Sequence, residues 1–192
     1  MKSTTSLLVG LALSALLGPA SAATGTWASF VGVDADAAGP GTPQWHDTAS
    51  WSTGLLPDFG NANLGSFTQS GSAWLYGADL FVWKNGGGDV TGALAYWRVD
   101  GGAWQELTLN WASNVPLTIP GTSSTTGGGE DQSWRTVGGQ ANFLAGASAG
   151  QHTLQVYFKA LTNEGDRLNG SAAAPFSASF SVSAVPEPTT SA

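Results

Sequence analysis

The chain has 192 residues, a length that suits one domain with appended signals. Only 10% of residues are Asp, Glu, Lys or Arg, against about 25% in soluble domains generally. The formal charge of −7 leaves no basic footprint for a phosphate backbone or an anionic lipid surface, so nucleic acid is excluded as a partner. The chain contains no cysteine, which excludes disulfides, thiolate nucleophiles and cysteine-ligated zinc.

Residues 1–22 read as a secretory signal peptide. Lys2 supplies the positive start, and the apolar run Leu7 to Leu17 is short for a membrane span. Gly18-Pro19 breaks the run, and Ala20-Ser21-Ala22 is a small-x-small cleavage site. From residue 23 to 183 a single domain is expected. Glycine interrupts every stretch long enough for an amphipathic helix, while short aromatic and β-branched runs alternate with Gly, Asn, Asp, Ser and Pro clusters. Thr26 to Val33 is the first expected strand. Ser72 to Lys84 is a long or kinked second one. Gly92 to Val99 places Leu94, Tyr96 and the stem of Arg98 on one face. Asp100-Gly101-Gly102 is a hairpin turn that needs positive φ angles, and the chain returns through Ala103 to Trp111. Pro116 to Gln132 and Thr162 to Pro175 are long polar loops of the kind that are either functional or mobile. His152 to Phe158 and Phe176 to Val182 alternate apolar with polar residues. Period-two alternation with one wet face predicts an all-β fold: an antiparallel β-sandwich of immunoglobulin-like or jelly-roll type, with about 7–9 strands.

No residue set reads as a complete catalytic centre. Gly146-Ala147-Ser148-Ala149-Gly150 matches the nucleophile-elbow pattern, which needs a strand before the serine and a helix after it. Here a strand follows, and no acid is placed to orient His152, so a glycine-rich turn is the simpler reading. His46 and His152 are the only histidines, too few for a histidine-built zinc site. Calcium is the one cofactor worth entertaining. Asp34 and Asp36, and Glu130 with Asp131, could donate carboxylate oxygens from glycine-rich loops. Nine tryptophans are the strongest compositional signal. Trp45, Trp51 and Trp134 stand in polar contexts, where exposed rings could stack on sugars.

At the far end, a Pro-rich segment follows the last expected strand: Val185-Pro186-Glu187-Pro188. It resembles the sorting signal of PEP-CTERM proteins, exported proteins of Gram-negative bacteria processed by a membrane exosortase. In that family the triplet is followed by a hydrophobic helix and a cluster of arginines. Neither occurs before Ala192, so residues 184–192 are expected to be an incomplete sorting tail, with membrane attachment only through the missing helix. The resemblance covers the termini alone. It implies an exported protein of the cell surface or extracellular matrix, with an exosortase-type enzyme as processing partner. The expected function is non-enzymatic, structural or adhesive. The alternatives are a carbohydrate-binding module for exopolysaccharide, and third a small secreted hydrolase.

Overall fold

The computed structural model describes residues 23–35, 41–48, 54–138 and 141–185. The signal peptide, Asp36, Trp51 and the Pro186-Glu187-Pro188 triplet lie outside them. The described residues are all-β, with no helix. Thirteen strands follow one another: β1 (Ala23–Asp34), β2 (Gln44–Asp47), β3 (Asn63–Thr68), β4 (Trp74–Asn85), β5 (Val90–Val99), β6 (Gln105–Asn114), β7 (Leu117–Thr118), β8 (Thr125–Thr126), β9 (Gln132–Thr136), β10 (Ala141–Asn142), β11 (Gly150–Thr162), β12 (Arg167–Asn169) and β13 (Phe176–Ser183).

Eleven of these strands belong to one mixed sheet, in the order β2-β1-β4-β9-β6-β5-β11-β13-β3, with β10 on β4 and β12 on β11. All pairings in it are antiparallel except β13 with β3. The expectation of about 7–9 antiparallel strands in a sandwich therefore needs correction in both count and connection. The reason lies in β6. Its first half pairs with β5, from Gln105 opposite Trp97 to Leu109 opposite Ala93. Its second half pairs with β9, from Asn110 opposite Arg135 onward, with a register shift between Trp111 and Ser113. Such an irregularity sharpens the local twist, so one strand carries the sheet from one half into the other.

The sheet curls until both halves share one core. Val31, Leu75, Leu80 and Val82 from β1 and β4 meet Leu154, Phe158 and Phe180 from β11 and β13 in a single buried cluster. The curl is tied at its opening by β12. Arg167 Nε donates to the Thr24 carbonyl (2.9 Å), Thr26 Oγ1 donates to the Leu168 carbonyl (3.1 Å), and Ser29 Oγ donates to Asn169 Oδ1 (3.2 Å).

A smaller cluster forms on the opposite face of β1 and β4, where Ala28, Phe30, Trp45 and Phe81 are covered by Leu117 and Ile119. The long segment after Pro116 therefore acts as a lid over apolar surface and contains the two-stranded β7–β8 ribbon. Trp45 sits between two glycines. A Cβ on Gly32 would come 3.2 Å from the indole and one on Gly121 only 2.7 Å, and Gly121 also holds a φ of +74°. Beneath the lid Asp79 is fully buried. Ser133 Oγ donates to its Oδ1 (2.8 Å), and Arg135 Nε donates to its Oδ2 (2.7 Å).

Candidate functional site

Side-chain alternation decides what β5 and β11 show to solvent. Ala93 and Ala95 of β5, with Leu154, Val156 and Phe158 of β11, point into the core. The opposite parity leaves Leu94, Tyr96 and Arg98, then Gln155, Tyr157 and Lys159, on the outer face. The register sets Glu106, Tyr96 and Tyr157 in one row and Arg98 beside Gln155 in the next. The Tyr96 and Tyr157 rings stack at 4.6 Å with 9° between planes. Trp104 meets Tyr157 edge-on at 4.8 Å, and the Arg98 Cζ lies 4.2 Å from the centre of the Trp104 ring. Arg98 Nε donates to Gln155 Oε1 at 2.7 Å. Lys159 Nζ lies 5.6 Å from the Tyr96 ring centre and pairs with Asp166 at 3.2 Å. Desolvation, followed by the hydrogen bond to Glu106, holds the Tyr96 phenol above its usual pKa. Beside this face runs a groove of about 470 Å³, walled by Tyr157, Lys159, Asp166, the half-exposed Leu168 and residues 171–173. Aromatic rings flanked by paired donors and acceptors form a surface that can meet a sugar ring with CH groups and hydroxyls together.

The residues singled out from sequence lie elsewhere. Trp45 is 7% exposed and belongs to the small core, so its ring offers no platform. Trp134 is half-buried against the main core, and its cross-strand neighbour Trp111 is 55% exposed. Trp51 lies outside the described residues. Trp45 and Trp134 belong to different clusters, whereas Tyr96, Trp104 and Tyr157 come together. The signal in the sequence was the pairing of Tyr96 and Arg98 on one face of a strand followed by a tight turn. Asp36 lies outside the described residues, and the other calcium candidates have partners or exposure of their own. Asp34 is buried at the end of β1 and accepts from the Gly41 amide, while Asp131 accepts from the Gly128 amide (3.0 Å) and Glu130 is exposed. Among the described residues no three His, Cys, Asp or Glu side chains converge as a metal site requires. His46 is buried edge-on to Phe59, and that burial lowers its pKa.

A second cavity, about 450 Å³, opens between the β5–β6 turn and the 142–148 segment, with Trp97, Arg98, Gln105, Asn142, Phe143 and His152 in its wall. Here the sequence reading needs a correction, because His152 does have an acid. Asp100, at the hairpin turn, places Oδ2 2.6 Å from Nδ1. Nε2 meets the Ser148 backbone carbonyl at 2.8 Å, and no hydrogen bond joins the Ser148 hydroxyl to the ring. Both ring nitrogens thus face acceptors, a pattern that only the imidazolium satisfies fully. The hydrogen bond to Asp100, followed by that to Ser148, raises the His152 pKa. An imidazolium held this way fastens the 142–148 segment to β11 and has no free nitrogen to accept a proton from a serine.

The pH dependence follows. A folded pKa above the unfolded value of about 6.5 stabilises fully below that pH, and the contribution fades as pH rises through the folded value. The melting temperature of the native chain should therefore fall, relative to Asp100→Asn, as pH is raised from 6.5 upward. Asparagine tolerates the Asp100 φ of 50°. Parallel curves for the two proteins would show that the clamp is uncharged. His46, with its lowered pKa, works in the opposite sense but is common to both proteins.

No family model matches the chain, and no curated protein matches it. Among solved structures, the CooA pilin subunit from enterotoxigenic Escherichia coli is similar over 66% of this chain and 92% of that chain, at 11% identity and a TM-score of 0.24. A likeness so slight carries no argument.

Proposed function

We propose that this chain is an exported, non-enzymatic protein of the cell surface or extracellular matrix that works by adhesion, with extracellular polysaccharide as the material it holds. The observation that carries this reading is the outer face of β5 and β11, where Tyr96, Tyr157 and Trp104 contact one another beside an open groove. Core packing does not require those rings, because Ala93, Ala95 and Val156 already fill the inner face at their level. The address rests on the signal-like residues 1–22 and on Val185-Pro186-Glu187-Pro188, for which an exosortase-type enzyme is the processing partner. The scaffold, in this reading, is a variant β-sandwich in which the two halves remain joined through β6.

The test is a titration of intrinsic tryptophan fluorescence in the full chain with exopolysaccharide from its own host. A saturable change is expected, because Trp104 lies in the contact surface. Tyr157→Ala should weaken binding about tenfold, the equivalent of about 1.4 kcal/mol for one lost ring contact, without a matching loss of melting temperature. No change up to millimolar sugar would leave a purely structural surface protein.

A further inference from the structure

Resting on that reading of the β5–β11 face, the geometry points to Arg98 as the residue that selects the saccharide, by gripping the carboxylate of an acidic sugar.

Bases are few in this chain, and among the described residues nearly every one is neutralised. Lys84 pairs with Asp89 (3.1 Å), Arg135 with Asp79 (2.5 Å), Lys159 with Asp166 (3.2 Å) and Arg167 with Glu164 (3.3 Å). Arg98 alone among the described lysines and arginines has no carboxylate partner. The acids of the β5–β6 hairpin face other groups. Asp100 gives one oxygen to His152 and the other to the Thr153 amide (2.8 Å), and Glu106 stands opposite Tyr96 in the ladder.

Arg98 is nevertheless fixed in place. Its guanidinium lies 4.2 Å from the Trp104 ring centre, and its Nε is bound to Gln155. The two terminal nitrogens, the fork that binds a carboxylate in bidentate fashion, have no acceptor among the described residues. A stacked guanidinium has already lost the rotamer freedom that binding would otherwise cost. Arg98 also borders the 450 Å³ cavity, whose wall includes Gln105. A fixed cation beside aromatic rings matches a uronic acid better than a neutral sugar, which would leave the cation unmatched. The overall charge of −7 opposes an anionic ligand only at long range, and about 0.15 M salt screens charges beyond roughly 8 Å.

The experiment titrates the full chain, in 0.15 M salt with EDTA, with a defined oligouronate and with the same oligomer after its carboxylates have been reduced to hydroxymethyl groups. The expected result is at least tenfold tighter binding of the oligouronate. Arg98→Gln should abolish that preference, bringing the affinity for the oligouronate down to that for the reduced oligomer. Arg98→Lys keeps the charge and most of the stem but loses the fork. It should lose most of the preference, and it serves as the test variant if Arg98→Gln lowers the melting temperature. Equal affinity of the native chain for both oligomers overturns the inference and leaves the sugar-binding face standing. Binding of neither oligomer overturns the face and the inference together. A preference that survives both substitutions removes Arg98 from the role.

Discussion

Arg135→Ala should cost the fold about 3–5 kcal/mol at neutral pH, because it strands a buried carboxylate. Asp79 has no solvent access, and its charge is matched by Arg135 Nη2 at 2.5 Å and Nε at 2.7 Å. Even with that cation present, burial pushes the Asp79 pKa up to about 6 from a usual 3.8. A raised carboxyl pKa favours the folded state most at low pH, and the benefit is lost as pH climbs from about 3.8 to about 6. Removing the arginine raises the folded pKa further, so the variant keeps losing stability at higher pH, where the native chain has levelled off. Urea denaturation at pH 5 and pH 7.5 reads this directly, with the larger deficit expected at pH 7.5. Equal deficits would assign the role of Arg135 to its other contact, the hydrogen bond from Nη2 to the Thr118 carbonyl (2.8 Å) that ties the lid down.

Phe180→Ala is the second large effect, again about 3–5 kcal/mol, and its cause is a cavity. The ring is wholly buried at the centre of β13. Phe143 meets it at 5.2 Å and Phe67 at 6.1 Å, both steeply inclined, while the His152 imidazole stacks on it at 5.2 Å and 24°. Truncation empties a site walled by elements that cannot easily collapse together. A fall of about 10 °C in melting temperature is expected, whereas Leu168→Ala, at a half-exposed position, should shift stability by about 0.5 kcal/mol or less. Since His152 rests on that ring, the pH dependence assigned to it should also weaken in Phe180→Ala. A full-strength pH dependence in that variant would show that the Asp100 and Ser148 contacts alone hold the imidazole.

The long strands could be read from the sequence because their local pattern and their environment agree. β4, β5, β11 and β13 alternate or run apolar over eight or more residues, and the Asp100-Gly101 turn has the positive φ values that its composition demands, 50° and 70°. The short strands β2, β7, β8, β10 and β12 have two to four residues, too few for any period to show, and they exist because distant segments pair with them. The candidate site was half legible. That Leu94, Tyr96 and Arg98 share a face follows from alternation, but which face is wet depends on Ala93 and Ala95, small residues that take the core side because Phe158 fills the space. Trp45 was misjudged for the converse reason. Its neighbours Gln44, His46 and Asp47 suggest a polar loop, yet Gly121 from the lid closes over the ring. The Asp100–His152 contact was invisible because it depends on the β5–β11 register, which sets Val99 opposite Leu154.

The seam between β1 and β12 has a bearing on the order in which the chain can fold. Strand β1 precedes every other described strand, yet the side of it that β2 leaves uncovered is met by Arg167, Leu168 and Asn169, about 140 residues later. Its ladder with β4 also spans a wide sequence separation, from Ala23 opposite Asn85 to Asp34 opposite Trp74. Contacts this distant in sequence make folding slow, since the loops must close before any pairing rewards them. The ladder with β4 can form once Asn85 is present, whereas the seam with β12 must wait for Asn169, so the sheet can pair early but its curl closes late.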